Sequence, residues 1–247
     1  KASYGSVGNR PNSLYPHLPL YSFSQSYNEN PGALISQLGN PDLSWEKTYT
    51  GDIGLDIGLF NRVNITLDYY NKNTSDLLYQ VPLPGVIGVT SIWRNVGAVN
   101  NRGFEASINV DIIKNDNFKW SVDANIGTNK NKVTSLYGGK TQIIVGDGSG
   151  IAGSASKLLT PGMDVDSWYL TEWAGVDPEN GKPQWMTTDA SGARVKTYDY
   201  AAASKNQKVI GSYTPDFFGG FSTNLNYKKF DFAAIFSYSV GGEIYNY

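Results

Sequence analysis

The sequence predicts an all-β fold, part of an antiparallel transmembrane β-barrel. Three observations carry this expectation. Apolar and polar residues alternate over runs longer than a soluble strand, the polar positions hold Asp, Asn, Ser, Thr and Gly more than Lys and Glu, and short turns alternate with long connections. Strands of soluble domains average about 5–6 residues, whereas a tilted strand crossing a bilayer needs about 9–11. Small polar residues suit a crowded, hydrated lumen, and short turns at one end with long loops at the other are the connectivity of membrane barrels.

The elements follow in order. Ala2 to Gly8 reads as a first strand. Between Trp45 and Leu59 the odd positions Trp45, Tyr49, Ile53, Leu55, Ile57 and Leu59 form an apolar face, and Glu46, Thr48, Thr50, Asp52 and Asp56 a polar one. A period of two places alternate side chains on opposite faces of a strand. After a turn at Phe60-Asn61-Arg62 the pattern resumes, with Val63, Ile65, Leu67 and Tyr69 set against Asn64, Thr66, Asp68 and Tyr70, which makes a hairpin. A second hairpin sets Phe104, Ala106, Ile108, Val110 and Ile112 against Glu105, Ser107, Asn109 and Asp111. It turns at Lys114 to Asn117 and returns with Phe118, Trp120, Val122, Ala124 and Ile126 against Ser121, Asp123 and Asn125. The third runs from Phe217 to Tyr227, turns at Lys228-Lys229 and returns from Phe230 to Val240.

Residues 1–247 therefore read as one partial barrel domain, with tight periplasmic turns and long extracellular loops at about 10–44, 80–95 and 134–214. Strand parity requires that the last of these loops hold either no spanning strand or two, and Leu158 to Trp173 is the stretch that would supply part of a pair. Aromatics near the short turns, Phe60, Phe118, Trp120, Tyr227 and Phe230, match an interfacial girdle.

Composition narrows the function. Charged residues make 17% of the chain and aromatics 13%, with 27 Gly, and the net charge of -2 does not suggest nucleic acid as a partner. With no Cys, a disulfide framework, thiolate zinc sites and Cys nucleophiles are excluded. The single histidine, His17, leaves His-based triads and multi-His metal sites short of parts, so neither an enzyme nor a cofactor or metal centre is expected. The stretches free of Asp, Glu, Lys and Arg, Pro11 to Asn28 and Leu77 to Trp93, are broken by prolines and other helix-poor residues and would not form a spanning helix.

Some local motifs carry a sharper reading and a plainer one. Gly148 to Gly153 matches G-x-G-x-x-G, but Pro161-Gly162 follows too soon for the helix that a dinucleotide site needs, which favours a loop. Asp177-Pro178-Glu179-Asn180-Gly181 has its glycine one position early for a calcium loop and reads as a turn. Asn64-Ile65-Thr66 and Asn73-Thr74-Ser75 match the glycosylation pattern, by chance where a membrane strand is expected. Asp52, Asp56, Asp68, Glu105, Asn109 and Asp123 occupy polar strand faces and are expected to face the lumen. No two of the acids stand out as the pair a glycosidase requires.

The wording of several segments resembles the SusC/RagA type of TonB-dependent outer-membrane transporter. These are Asn40-Pro41-Asp42-Leu43-Ser44-Trp45-Glu46-Lys47-Thr48, Gly54 to Arg62, Asp68-Tyr69-Tyr70-Asn71-Lys72-Asn73-Thr74-Ser75-Asp76-Leu77-Leu78, Asn95-Val96-Gly97, Asn101-Arg102-Gly103-Phe104-Glu105 and Gly175 to Trp185. The resemblance implies middle to late strands of a barrel of about 22 strands with a plugged lumen. It further implies energised uptake of oligosaccharides or peptides across the outer membrane of Bacteroidetes-type bacteria, with a SusD-like surface lipoprotein as lid and the TonB complex pulling on a plug. Plug and TonB box are not expected within these residues. Trp93, Trp168, Trp173 and Trp185 fall in the long outer segments, where aromatics would stack on substrate or anchor the lid, or else pack the loops. A passive porin or structural barrel is the alternative, and a soluble carbohydrate-binding β-domain a more distant one because of strand length and sparse charge.

Overall fold

The computed structural model describes residues 1–146 and 155–245. The chain opens on β1 (Ala2–Asn9) and enters an outer hairpin of β2 (Leu20–Tyr27) and β3 (Asn30–Gln37). It returns as β4 (Glu46–Leu59), turns with Phe60 and Asn61 both at positive φ, and runs back as β5 (Val63–Ser75). A second outer hairpin, β6 (Leu78–Pro82) and β7 (Ser91–Asn95), precedes the longest pair, β8 (Gly97–Lys114) and β9 (Phe118–Leu136). There follow β10 (Ile143–Gly146), β11 (Ser156–Leu159), β12 (Ser167–Leu170), β13 (Trp173–Val176), β14 (Pro183–Thr188), β15 (Arg194–Thr197), the single-turn α1 (Tyr200–Ala203) and β16 (Lys208–Ser212). The last hairpin is β17 (Phe217–Tyr227) with β18 (Phe230–Val240). No helix among the described residues is long and apolar enough to cross a membrane, which bears on helices alone.

Seven strands form one antiparallel sheet in the order β1-β4-β5-β8-β9-β17-β18. Its register shows how period two becomes two chemically different faces. One row of directly paired residues reads Asp56, Thr66, Ser107, Asn125, Gly220 and Ser237; the next reads Ile57, Ile65, Ile108, Ala124, Phe221 and Phe236. Among the described residues nothing covers the apolar face. Ile53 is 67% exposed and Phe232 57%, whereas among the described residues the buried apolar side chains are few, Val89, Val133, Ala155, Leu158, Trp168 and Ala203. A soluble sheet would have to cover such a face, whereas lipid covers it without cost to the hydrophobic effect.

Cross-strand pairs knit that face. Phe221 stacks on Phe236 at 4.6 Å, and the Trp120 indole donates to the Thr223 hydroxyl at 2.9 Å, so its polar edge is satisfied on an otherwise apolar surface. At the turn end Phe118 meets Tyr227 edge to face at 6.2 Å.

Several sequence expectations change in detail. β5, β8 and β9 run well past the alternating stretches, because Asn71 to Asn73, Asn100 to Arg102 and Asn129 to Lys132 are polar on both faces yet keep the backbone ladder. Ile112 does not continue the apolar row. The register slips between Asp111 and Ile113, and it is Ile113 that stands opposite Trp120. Such a bulge shifts every later side chain to the other face.

Among the described residues of 134–214, only the end of β9, to Leu136, belongs to the large sheet, and β9 pairs directly with β17. Leu158 to Trp173 does contain strands, but four-residue ones in an outer cap rather than spans. The cap consists of a four-stranded sheet, β10-β11-β12-β16, and a three-stranded one, β13-β14-β15. The G-x-G-x-x-G stretch at 148–153 lies outside the described residues.

Candidate functional site

All the polar positions singled out from the pattern share one face of the large sheet. Asp52 stands opposite Tyr70, Asp56 opposite Thr66, Asp68 opposite Gly54 and Glu105, and Asn109 opposite Asn64 and Asp123. Side chains link into a line across four strands. Asn64 Nδ2 donates to Asn109 Oδ1 (3.4 Å), Asn109 Nδ2 to Asp123 Oδ1 (2.6 Å), and Ser222 Oγ to Asp123 Oδ2 (3.2 Å). Asp123→Ala should therefore lower the unfolding free energy by about 1–3 kcal/mol, since two hydrogen bonds to a charged acceptor are lost together. A loss under a few tenths in vesicle unfolding would mean that water replaces both partners freely.

Two features of this face were not legible beforehand. Lys1, at the edge, reaches Asp68 (2.9 Å) and Asp56 (3.4 Å) and draws the two carboxylates into one cluster. Further out, Asn101 Oδ1 accepts from Asn131 (2.8 Å) and Asn129 (3.3 Å), and Asn131 Oδ1 accepts from the Val165 amide (3.3 Å), which ties the cap to the wall. Only the run of asparagines at every second position hinted at this cluster. The face can offer hydrogen-bond donors and acceptors to a hydrated solute, and among the described residues no group of three or more His, Cys, Asp or Glu could hold a metal.

The tryptophans do not converge on one surface. Trp168 is buried in the cap, with its indole donating to the Glu243 carbonyl at 2.6 Å and Lys157 Nζ lying 5.4 Å from the ring centroid, so its structural work is packing. Trp93 belongs to β7, where its carbonyl accepts from Asn40 Nδ2 at 2.9 Å. Trp173 and Trp185 do meet, edge to face at 5.8 Å, and Tyr200 adds a third ring 5.3 Å from Trp185. Trp173 is 54% exposed, so this cluster presents an aromatic surface to solvent.

Charged groups hold the two cap sheets together. Glu172, between β12 and β13, binds Lys208 of β16 (2.5 Å) and Arg194 of β15, and Lys208 first and Arg194 second hold its carboxyl below the ordinary 4.5. The Tyr198 hydroxyl, the Glu179 amide and Asn180 do the same for Asp177, whose segment is a plain turn closed by Gly181 N donating to Asp177 O. A carboxylate held low stabilises the fold above its unfolded value and ceases to do so as pH falls through the folded one. The cap should thus loosen below about pH 4.5, read by hydrogen exchange at β13 to β16, and Glu172→Gln should flatten that dependence. An unchanged exchange profile in the variant would remove Glu172 as the cause.

A long antiparallel sheet with one polar and one bare apolar face, carrying a folded cap at the end away from its tight turns, is a section of the wall of a membrane β-barrel. The chain belongs to the TonB-dependent receptor family: the model of the TonB dependent receptor-like β-barrel matches residues 1–246. It is 36% identical to TonB-dependent receptor P3 of Formosa agariphila, across 100% of this chain and 26% of that protein. It is 32% identical to the TonB-dependent receptor SusC of Bacteroides thetaiotaomicron, across 94% of this chain and 23% of that protein. Among solved structures, the RagAB peptide transporter superposes with a TM-score of 0.84 at 34% identity, covering 98% of this chain and 26% of the matched one. The chain is thus of the SusC/RagA type, in a family of receptors and not of enzymes, and spans about a quarter of the length of these relatives.

Proposed function

We propose that the chain forms a section of the wall and the extracellular cap of an outer-membrane, TonB-dependent importer of oligosaccharides or peptides. The observation that carries this reading is the pairing of a continuous polar face with a bare apolar one on strands long enough to span. The polar face, with Asp52, Asp56, Asp68, Glu105, Asn109 and Asp123, lines the passage, and the apolar face meets the lipid bilayer. A SusD-like lipoprotein covers the outer end, and the TonB complex acts through a plug elsewhere in the protein. The Trp173, Trp185 and Tyr200 cluster is the surface best suited to a lid or to a ring-bearing solute, because rigid exposed aromatics give large contact area for little lost entropy. Likeness to the RagAB peptide transporter supports a peptide cargo, and likeness to SusC keeps the oligosaccharide reading open.

The test uses the full-length protein in cells. Uptake of labelled peptides and oligosaccharides should cease when TonB is removed; uptake that persists would point to a passive porin. Cysteines at 109 and 123 should react with a membrane-impermeant thiol reagent, and those at 108 and 122 should be protected. The reverse pattern would sink the assignment of faces.

A further inference from the structure

The apolar face does not run unchanged to the cap. Outward of the row in which Tyr69 stands opposite Phe104, the same face turns basic on β8 and β9, while Tyr4 of β1 and Tyr49 of β4 keep it aromatic on the far side of β5. Arg102 stands directly opposite Lys130, and Lys132 follows two residues on, opposite Asn100. All three are exposed, and among the described residues none of their side chains has a carboxylate or any other hydrogen-bonding or ion-pair partner. Like charges directly opposite on neighbouring strands oppose pairing, so the arrangement carries a standing cost that an anion would relieve. Lys47, on the same face of β4, differs in being 3.9 Å from Asp76.

The position narrows the choice of anion. At this level β8 is flanked by β5, with Asn71 opposite Arg102 and Asn73 opposite Asn100, while β9 has run past its last pair with β17 at Gly127, so the cluster lies on the outer margin of the wall. Beside the cations, Asn71 and Asn73 accept from Asn100, which leaves the amide N–H groups of Asn71 and Asn73 as further donors. A planar guanidinium, two ammonium groups and amide donors, set one step above an apolar band, match a phosphate carried by a lipid whose chains lie against Phe104, Ala106 and Ile126.

We propose that Arg102, Lys130 and Lys132 form a docking site for the phosphate-bearing headgroup of an outer-leaflet lipid. The site rests on the assignment of the apolar face to lipid and adds to it a specific occupant. It fixes the depth of the wall in the bilayer at its outer end, as the aromatic girdle does at the turn end. Such a contact is electrostatic in its headgroup part and should weaken as salt rises.

The test uses the full-length protein, purified in detergent and mixed with a phosphorylated glycolipid, with the same glycolipid lacking phosphate, or with inorganic phosphate. Bound molecules are counted by native mass spectrometry. A cation near an anionic headgroup contributes about a fivefold factor, so Lys130→Gln should lower phospholipid-form retention about fivefold and the triple variant R102Q/K130Q/K132Q on the order of a hundredfold. Retention of the phosphate-free glycolipid should not change. The proposal falls if the triple variant holds the phosphorylated lipid as wild type does, or if wild type holds both lipids equally. It falls as well if inorganic phosphate displaces the lipid at equal concentration, which would mean a soluble anion. Because Lys130→Gln alters one exposed side chain, it keeps the test valid should the triple variant fold poorly. A cysteine at 108 that reacts from water would fail the face assignment itself, separately from the lipid counts.

Discussion

Ile108→Arg in the full-length protein should cost roughly 2–4 kcal/mol of unfolding free energy in lipid vesicles, because it forces a charge into hydrocarbon near the middle of the apolar band. Ile108 pairs with Ile65 on one side and Ala124 on the other, so no polar neighbour on its own row can take up the guanidinium. Ser107→Arg, one residue away on the polar face, should cost far less. Depth supplies the control. Ile113, opposite Trp120 near the turn, should tolerate Arg with a loss of about 0–1 kcal/mol, since a long side chain there reaches the headgroups. A soluble sheet would distinguish the two faces too, but not two depths on one face. Equal losses at 108 and 113 would remove the membrane from the explanation.

The second large effect is expected at Gly103. This residue is buried on the polar face beneath the ring of its cross-strand partner Tyr70, whose hydroxyl lies 3.2 Å from Asn129 Oδ1 and 3.5 Å from the Thr128 carbonyl. A Cβ at 103 would run into both the Thr128 carbonyl and the Tyr70 ring. Gly103→Ala should then cost about 1–3 kcal/mol, toward the upper end because a backbone carbonyl cannot rotate away as a side chain can. Gly219 repeats the device on the opposite face, with Tyr238 laid across it and donating to the Asn125 carbonyl at 2.9 Å. An aromatic ring covering a cross-strand glycine restores packing where the glycine has none and pins the register. If Gly103→Ala melts within 0.5 kcal/mol of wild type, the close approach is not what holds β5 against β8.

Some of this architecture could be read from residue order and some could not, for physical reasons. β4 and β5 were legible because each position commits to one face, Ile57 and Ile65 to one and Asp56 and Thr66 to the other. The outer halves of β8 and β9 were not, because beyond Phe104 neither face meets hydrocarbon and both carry polar residues, so alternation has nothing to record. The cap strands, four residues each at β11, β12 and β13, are too short to display a period at all. The shared face of Asp52, Asp56, Asp68, Glu105, Asn109 and Asp123 followed from local pattern plus hairpin connectivity. The meeting of Trp173, Trp185 and Tyr200, and the burial of Trp168 under Lys157, depend on how the cap folds back, and local spacing carries no signal for that.

The outward run of β8 and β9 also has a mechanical side. From Thr128 to Leu136 β9 runs roughly 25 Å past its last pair with β17, at about 3.3 Å per residue, while β8 beside it stays paired with β5 as far as Val99. Near its tip both backbone groups of Val133 bond to the cap, donating to Met163 O at 2.8 Å and accepting from Gly162 N at 2.7 Å. The cap therefore hangs from a strand supported on one flank, by β8 and through it by β5 and β4, and running past the end of β17 on the other. A push on the cap thus enters the wall on the β8 side, through the ladder that continues to β5. The irregularity between Ala98 and Val99 lies at this attachment, where Val99 stands opposite Val133.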